Sequence, residues 1–148
     1  MRLTKATDFA YRVLLYVGTH PGRRVSTDEI ATAFAISKDH LGKVVNQLAQ
    51  QGWIDAKRGR GGGLILARAP EVIGLGEVVR VMEPDLDLVE CFNRKYNTCP
   101  IVPACGLIGP LAEARRAFLA VLDGYTLADV LPGADSPKRE QLITLLGA

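Results

Sequence analysis

The chain has 148 residues, a net charge of +2, 48% hydrophobic and 23% charged residues, a balance that fits a folded chain of one domain or two small ones and argues against disorder. Its longest apolar runs, such as Val13 to Val17, fall far short of the roughly 20 residues that a membrane-spanning helix requires. The opening Met1-Arg2-Leu3-Thr4-Lys5 is polar where a signal peptide would carry its apolar segment. The expected location is therefore the cytoplasm, with no membrane partner, where thiols stay reduced.

Ala6 to Val17 places Phe9, Ala10, Val13, Leu14 and Val17 on one face of a helix, and His20-Pro21-Gly22 ends it. Ser26-Thr27-Asp28-Glu29 matches a capping box, which opens a short helix with Ile30, Ala31 and Phe34 facing inward. Ser37 is a second N-cap, and the helix it opens runs to about Gln51, burying Leu41, Val44, Val45 and Leu48 before Gly52 stops it. Two short helices separated by three or four residues, the second with a polar face, read as a helix-turn-helix.

Trp53 to Lys57 and Leu64 to Ala67 are strand-like runs that bracket Arg58-Gly59-Arg60-Gly61-Gly62-Gly63. This predicts a hairpin with a basic, glycine-rich tip, the wing of a winged helix, whose arginines meet the negative potential of a DNA backbone or minor groove. The competing readings are a flexible loop or a phosphate loop, but no GxxxxGK[ST] pattern is present and the glycines precede a strand. The N-terminal end of the second helix supplies the candidate base readers Ser37, Lys38, Asp39, His40 and Lys43, with Asn46 and Gln47 further along the polar side. Arg58 and Arg60 are the candidate phosphate contacts, which give affinity and little sequence information. Gly42, inside the helix, costs about 1 kcal/mol against alanine, and either permits close approach to a duplex or is incidental.

Charge divides in the same place. Residues 1–68 hold 11 basic and 5 acidic side chains and the remainder 7 and 11, a split of about +6 against −4. A polyanion would be drawn to the first part only, although a solvated surface gives the same count.

Leu75 to Met82 reads as a short helix, and all three cysteines, Cys91, Cys99 and Cys105, follow within fifteen residues, among Pro100, Pro103 and Gly106. An odd, clustered set in a reducing compartment reads as soft-metal or iron-sulfur ligands in preference to disulfides. From about Leu107 to Leu122, Leu107, Leu111, Ala114, Phe118 and Val121 recur at alternating four- and three-residue steps, the seam of a helix pair or the face of a core helix. Helix-turn-helix proteins usually pair to read two half-sites, which favours a homodimer. Thr126 to Leu131 forms a capped turn, and the tail from Pro132 is loosely specified, with Leu142 to Leu146 available to dock. The fold expected is mainly α with a small β-hairpin: a winged helix-turn-helix DNA-binding domain (1–68), a cluster loop and long dimerisation helix (69–131) and a C-terminal tail (132–148).

Met1 to Asp8, Arg58 to Gly63, Val78-Val79-Arg80-Val81-Met82-Glu83-Pro84, Cys91 with Cys99-Pro100 and Ala104-Cys105, and Tyr125 to Asp129 resemble the winged-helix iron-sulfur repressor family that includes the NsrR, IscR and RirA types. The similarity spans residues 1 to about 131, and Ser37 to Val45 and the Glu83 to Cys91 region resemble the nitric-oxide-sensing NsrR type most. The resemblance implies a homodimeric repressor on a double-stranded DNA operator. In it the three cysteines hold an iron-sulfur cluster, [4Fe-4S] or alternatively [2Fe-2S], beside the partner's DNA-binding domain. The NsrR-like arrangement further implies an aspartate near the N-terminus of the other subunit as fourth ligand, and Asp8 stands at the matching place; the IscR pattern differs, with a histidine where this chain has Ile108, and no histidine follows His40. Read without the family, Asp8 is simply an acidic residue favoured at a helix N-terminus. The cluster would fix the spacing of the two recognition helices, and nitric oxide would release that tie. RirA-like iron sensing and a zinc-stabilised regulator are the alternatives. An enzyme is not expected: there is no CxxC pair, no Ser/His/Asp arrangement and only two histidines.

Overall fold

A computed structural model describes residues 2–133 and 135–146. Helix α1 spans Lys5–Thr19, with Thr4 as N-cap accepting the Thr7 amide at 3.4 Å, and it buries Ala10, Val13, Leu14 and Val17 at helical spacing. The expected capping box forms at α2 (Thr27–Phe34): Ser26 Oγ accepts the Glu29 amide at 3.1 Å, and Glu29 Oε2 accepts the Ser26 amide at 2.5 Å. Ala35, at φ 52°, turns the chain through the left-handed region into α3, Lys38–Gln50. Gly52, at φ 69°, ends that helix without the Cβ penalty that any other residue would meet there.

Strands β1 (Ile54–Lys57) and β2 (Gly63–Leu66) pair antiparallel, from Ile54 opposite Leu66 to Lys57 opposite Gly63. An isolated bridge between Val25 and Leu64 fastens this hairpin to the linker before α2. Helix α4 occupies Leu75–Met82, as expected, and α5 occupies Ile108–Asp123, one residue later than its periodicity suggests. Helix α6 (Leu127–Val130) has a capping box from Thr126 and Asp129. The tail is more ordered than its sequence indicates: α7 covers Pro137–Leu145, and Arg139 Nη2 donates to Thr19 O at 2.6 Å.

The core gathers α1, α2, α3, the hairpin and α4 around Leu14, Ile30, Leu41, Leu48, Trp53 and Val78, with Leu127 closing it from α6. Helix α5 lies against α4 and has no buried residue; Leu107 and Val121 are 66% and 61% exposed. Among the described residues no helix is long and apolar enough to cross a membrane.

Candidate nucleic-acid interface and thiol loop

Because Leu41, Val44, Val45 and Leu48 face the core, α3 turns Ser37, Lys38, Asp39, His40 and Lys43 into solvent. Ser37 is engaged as N-cap, its hydroxyl accepting the His40 amide at 3.4 Å. Lys38 Nζ stands 2.8 Å from Asp28 Oδ2, a pair two-thirds exposed on both sides, and so weak and screened that a phosphate can displace the carboxylate. His40 and Lys43 join Lys5 around a hollow of about 170 Å³ shared with Ala6, Phe9 and Val44. Gln47 departs from expectation: it does not extend the polar face, because its Nε2 donates to Val81 O at 2.9 Å and ties α3 to α4.

The wing tip is a specified turn. Gly59 and Gly61 have φ of 89° and 73°, the Gly62 amide donates to Gly59 O at 2.9 Å, and a Cβ on Gly62 would stand 2.3 Å from Lys57 O. Only glycine fits that sequence of constraints. Arg58 and Arg60 are exposed at the tip, and no ion pair engages either among the described residues. An open groove of about 900 Å³ runs between α3 and the wing, with Gly42, Asn46, Lys57 and Arg58 on its walls.

Cys91, Cys99 and Cys105 are free and half-buried, carried on a loop whose regular structure is limited to 3-10 turns at Glu90–Phe92 and Val102–Ala104. Glu90 Oε1 accepts the Thr98 amide at 2.6 Å and the Thr98 hydroxyl at 2.8 Å, which clasps the residue before Cys91 to the residue before Cys99. Those two bonds, the amide first, hold the Glu90 carboxyl below the usual carboxylate range. The Arg115 guanidinium lies 4.6 Å over the Phe92 ring and 3.5 Å from Asp87, joining the loop to α5. Among the described residues no three His, Cys, Asp or Glu side chains converge on a point that would hold a single metal ion. An iron-sulfur cluster does not ask for such convergence on one point, since its thiolates bind separate iron atoms, and three free, half-buried thiols are the donor type it takes.

Asp8 does not stand free: its carboxylate pairs with Arg12 Nη2 at 2.8 Å, one turn along α1. On the neighbouring face, Glu83 Oε1 accepts the Thr4 amide at 2.8 Å, the Thr4 hydroxyl at 3.1 Å and the hydroxyl of buried Thr7. Tyr11 Oη donates to Leu75 O at 2.7 Å, and its pKa is pushed up to about 12, by burial first and the Glu83 charge second. The start of α1 is thereby fastened to both ends of α4, from which the thiol loop departs.

Residues 3–133 match the family model for Rrf2, described as iron-dependent transcriptional regulator. The chain belongs to the Rrf2 family. It is 48% identical over 132 residues to the HTH-type transcriptional regulator NsrR of Bacillus subtilis, covering 88% of this chain and 90% of that protein. The corresponding protein of Bacillus licheniformis is 45% identical over 136 residues, covering 91% and 95%. Among solved structures, T. potens IscR superposes with a TM-score of 0.69 at 25% identity, over 87% of this chain and 85% of that one.

An Rrf2 chain of this shape is held by side chains that periodicity does not announce. Glu83, Glu90 and Thr98 act through partners brought together by turns or by the tertiary fold, with Glu83 reaching across 79 residues to Thr4. The Glu83-Pro84 pair was visible only as part of a family motif.

Proposed function

We propose that this Rrf2 protein is a homodimeric transcriptional repressor that binds double-stranded operator DNA in the cytoplasm and releases it when nitric oxide reacts with its iron-sulfur cluster. The observation that carries this reading is the trio of free thiols, Cys91, Cys99 and Cys105, on one loop at the foot of α5, in a chain 48% identical to an NsrR. Those three thiolates would hold a [4Fe-4S] cluster, with [2Fe-2S] as the smaller alternative. When bound, the cluster supplies iron atoms that nitric oxide can ligate.

The partner subunit's Asp8 would supply the fourth ligand. To do so it gives up Arg12, an exposed i,i+4 pair worth only about 0.3–0.5 kcal/mol. An oxygen ligand is harder than thiolate and is the weak point of such a site. Leu107, Leu111, Ala114, Phe118 and Val121 form the dimer seam, which explains why α5 buries nothing within one protomer. Ser37, Lys38, Asp39, His40 and Lys43 enter the major groove, with Arg58 and Arg60 on the backbone or minor groove. A bias of about 1–3 kcal/mol on recognition-helix spacing suffices to change operator affinity five- to 150-fold.

The family's iron-dependent description favours one second reading, a regulator that responds to iron supply with the same parts. Operator binding by anaerobically prepared protein, titrated in parallel with nitric oxide and with an iron chelator, separates the two. Loss of binding at stoichiometric nitric oxide, with resistance to chelator, is expected. The reverse order of sensitivity would establish the iron-responsive reading. Replacing all three cysteines by serine should abolish visible absorbance and the nitric oxide response; an unchanged response would remove the cluster from the account.

A further inference from the structure

A hairpin of two four-residue strands is marginal on its own, so the wing needs an external support if Arg58 and Arg60 are to meet a duplex at a fixed angle. The linker between α1 and α2 supplies it. Val25 exchanges backbone hydrogen bonds with Leu64 at 3.0 and 2.8 Å. Immediately before it, Arg24 reaches over both strands: Nη1 donates to Gly63 O at 3.0 Å and to Asp55 O at 3.4 Å, while Nη2 pairs with the Asp55 carboxylate. Gly63 admits this approach, since a Cβ there would lie 2.8 Å from Val25 O and 3.2 Å from Arg24 Cβ, at a φ of 132°.

We propose that Arg24 is a positioning residue for DNA binding, a two-strand brace that holds the wing stem against the α1–α2 linker. Its side chain is 29% exposed, and its charge is already committed to Asp55, unlike those of Arg58 and Arg60. The planar fork is what spans two strands; a lysine at the position carries the charge and cannot make the same set of bonds. The inference rests on the DNA-binding reading above, and its test separates the two.

The experiment uses the full chain with Asp55→Ala, Arg24→Lys and the double variant. Without DNA, trypsin nicking after Arg58 and Arg60 reports stem opening, with cleavage elsewhere and circular dichroism as folding controls. With DNA, fluorescence anisotropy gives operator affinity. Both single variants should be nicked about three- to fivefold faster at the tip and should bind about three- to fivefold more weakly, with the double variant no worse than the poorer single. The sign for Asp55→Ala is the decisive feature: removing a negative charge near a polyanion tightens binding on electrostatics alone. Unchanged nicking in both variants, or tighter binding by Asp55→Ala, overturns the brace. Faster nicking with wild-type affinity overturns its role in DNA binding. Faster nicking in variants of a wild-type protein that binds no duplex sustains the brace and overturns the repressor reading instead.

Discussion

From Ala10 to Met82 the chain buries apolar side chains in every one of α1 to α4 and in both strands, whereas from Glu83 to Thr126 it buries none, although that second stretch contains a 16-residue helix. The first region owes its shape to its own core. The second is held by surface clasps: Glu90 to Thr98, Arg115 to Asp87, and the fork of Arg80 on Asp123. Exposed or half-exposed contacts of this kind contribute little each and open readily. A rigid reading region joined to a lightly held one suits a switch, because a ligand or partner subunit has only a small resistance to overcome in the part it must reorganise.

The largest expected effect tests whether the second region borrows its order from another copy. Leu111→Asp with Phe118→Asp places charge in the half-buried middle of the apolar stripe of α5, between exposed Leu107 and Val121. Sedimentation should show a monomer, and operator affinity should fall by about two orders of magnitude or more as the second half-site contact becomes bimolecular. Thermal unfolding of the α1–α4 core should hardly change. A dimer that survives both substitutions would mean that α5 is covered in some other way and that the contrast between the regions is drawn in the wrong place.

Next in size is the joint between the regions. Glu83→Ala removes the acceptor shared by the Thr4 amide and the Thr4 and Thr7 hydroxyls, and Thr7 is fully buried. Urea unfolding should show a loss of about 1–3 kcal/mol, the usual penalty for leaving buried donors unsatisfied. A loss within error of zero would show that the start of α1 is held by its core contacts alone. The same joint has a pH signature. Tyr11 titrates near 10 when unfolded and is pushed up to about 12 in the fold, so its contribution is complete below pH 10 and is lost as pH rises through 12. Melting temperatures measured across that window should fall less steeply for Tyr11→Phe than for the wild type.

What the sequence disclosed follows the same division. Ser26, Ser37 and Gly52 act on neighbours a few residues away, so the boundaries of α2 and α3 were legible, as was the helix from Leu75 to Met82. The wing was legible because its glycines and arginines are contiguous. The side of α3 that Gln47 faces was not, since its partner Val81 lies 34 residues away and a glutamine looks equally at home in solvent. Of the tail, the docking of Leu142 to Leu146 was legible, and Leu146 does pack against the core; the helical form of α7 was not, because Leu142, Ile143, Leu145 and Leu146 give no clean helical stripe, and the bond from Arg139 to the Thr19 carbonyl at the end of α1 leaves no local signal. The thiol loop is legible as chemistry and not as geometry: three cysteines name the donors, while the clasp between Glu90 and Thr98 arises from turns with no periodicity.

The smallest effect bears on the reading region itself. Gly42 sits inside α3, where a Cβ would meet no atom within 4 Å, and on the wall of the groove between α3 and the wing. Gly42→Ala should therefore stabilise the helix by up to about 1 kcal/mol, raising the melting temperature by a few degrees. If the duplex occupies the groove, the added methyl must displace it, and operator affinity should fall while stability rises. Opposite signs in the two measurements would assign the glycine to DNA approach, since no loss of folding can account for weaker binding by a more stable protein. Equal affinity in the two proteins would make Gly42 incidental and leave recognition to Ser37, Lys38, Asp39, His40 and Lys43 at the start of the helix.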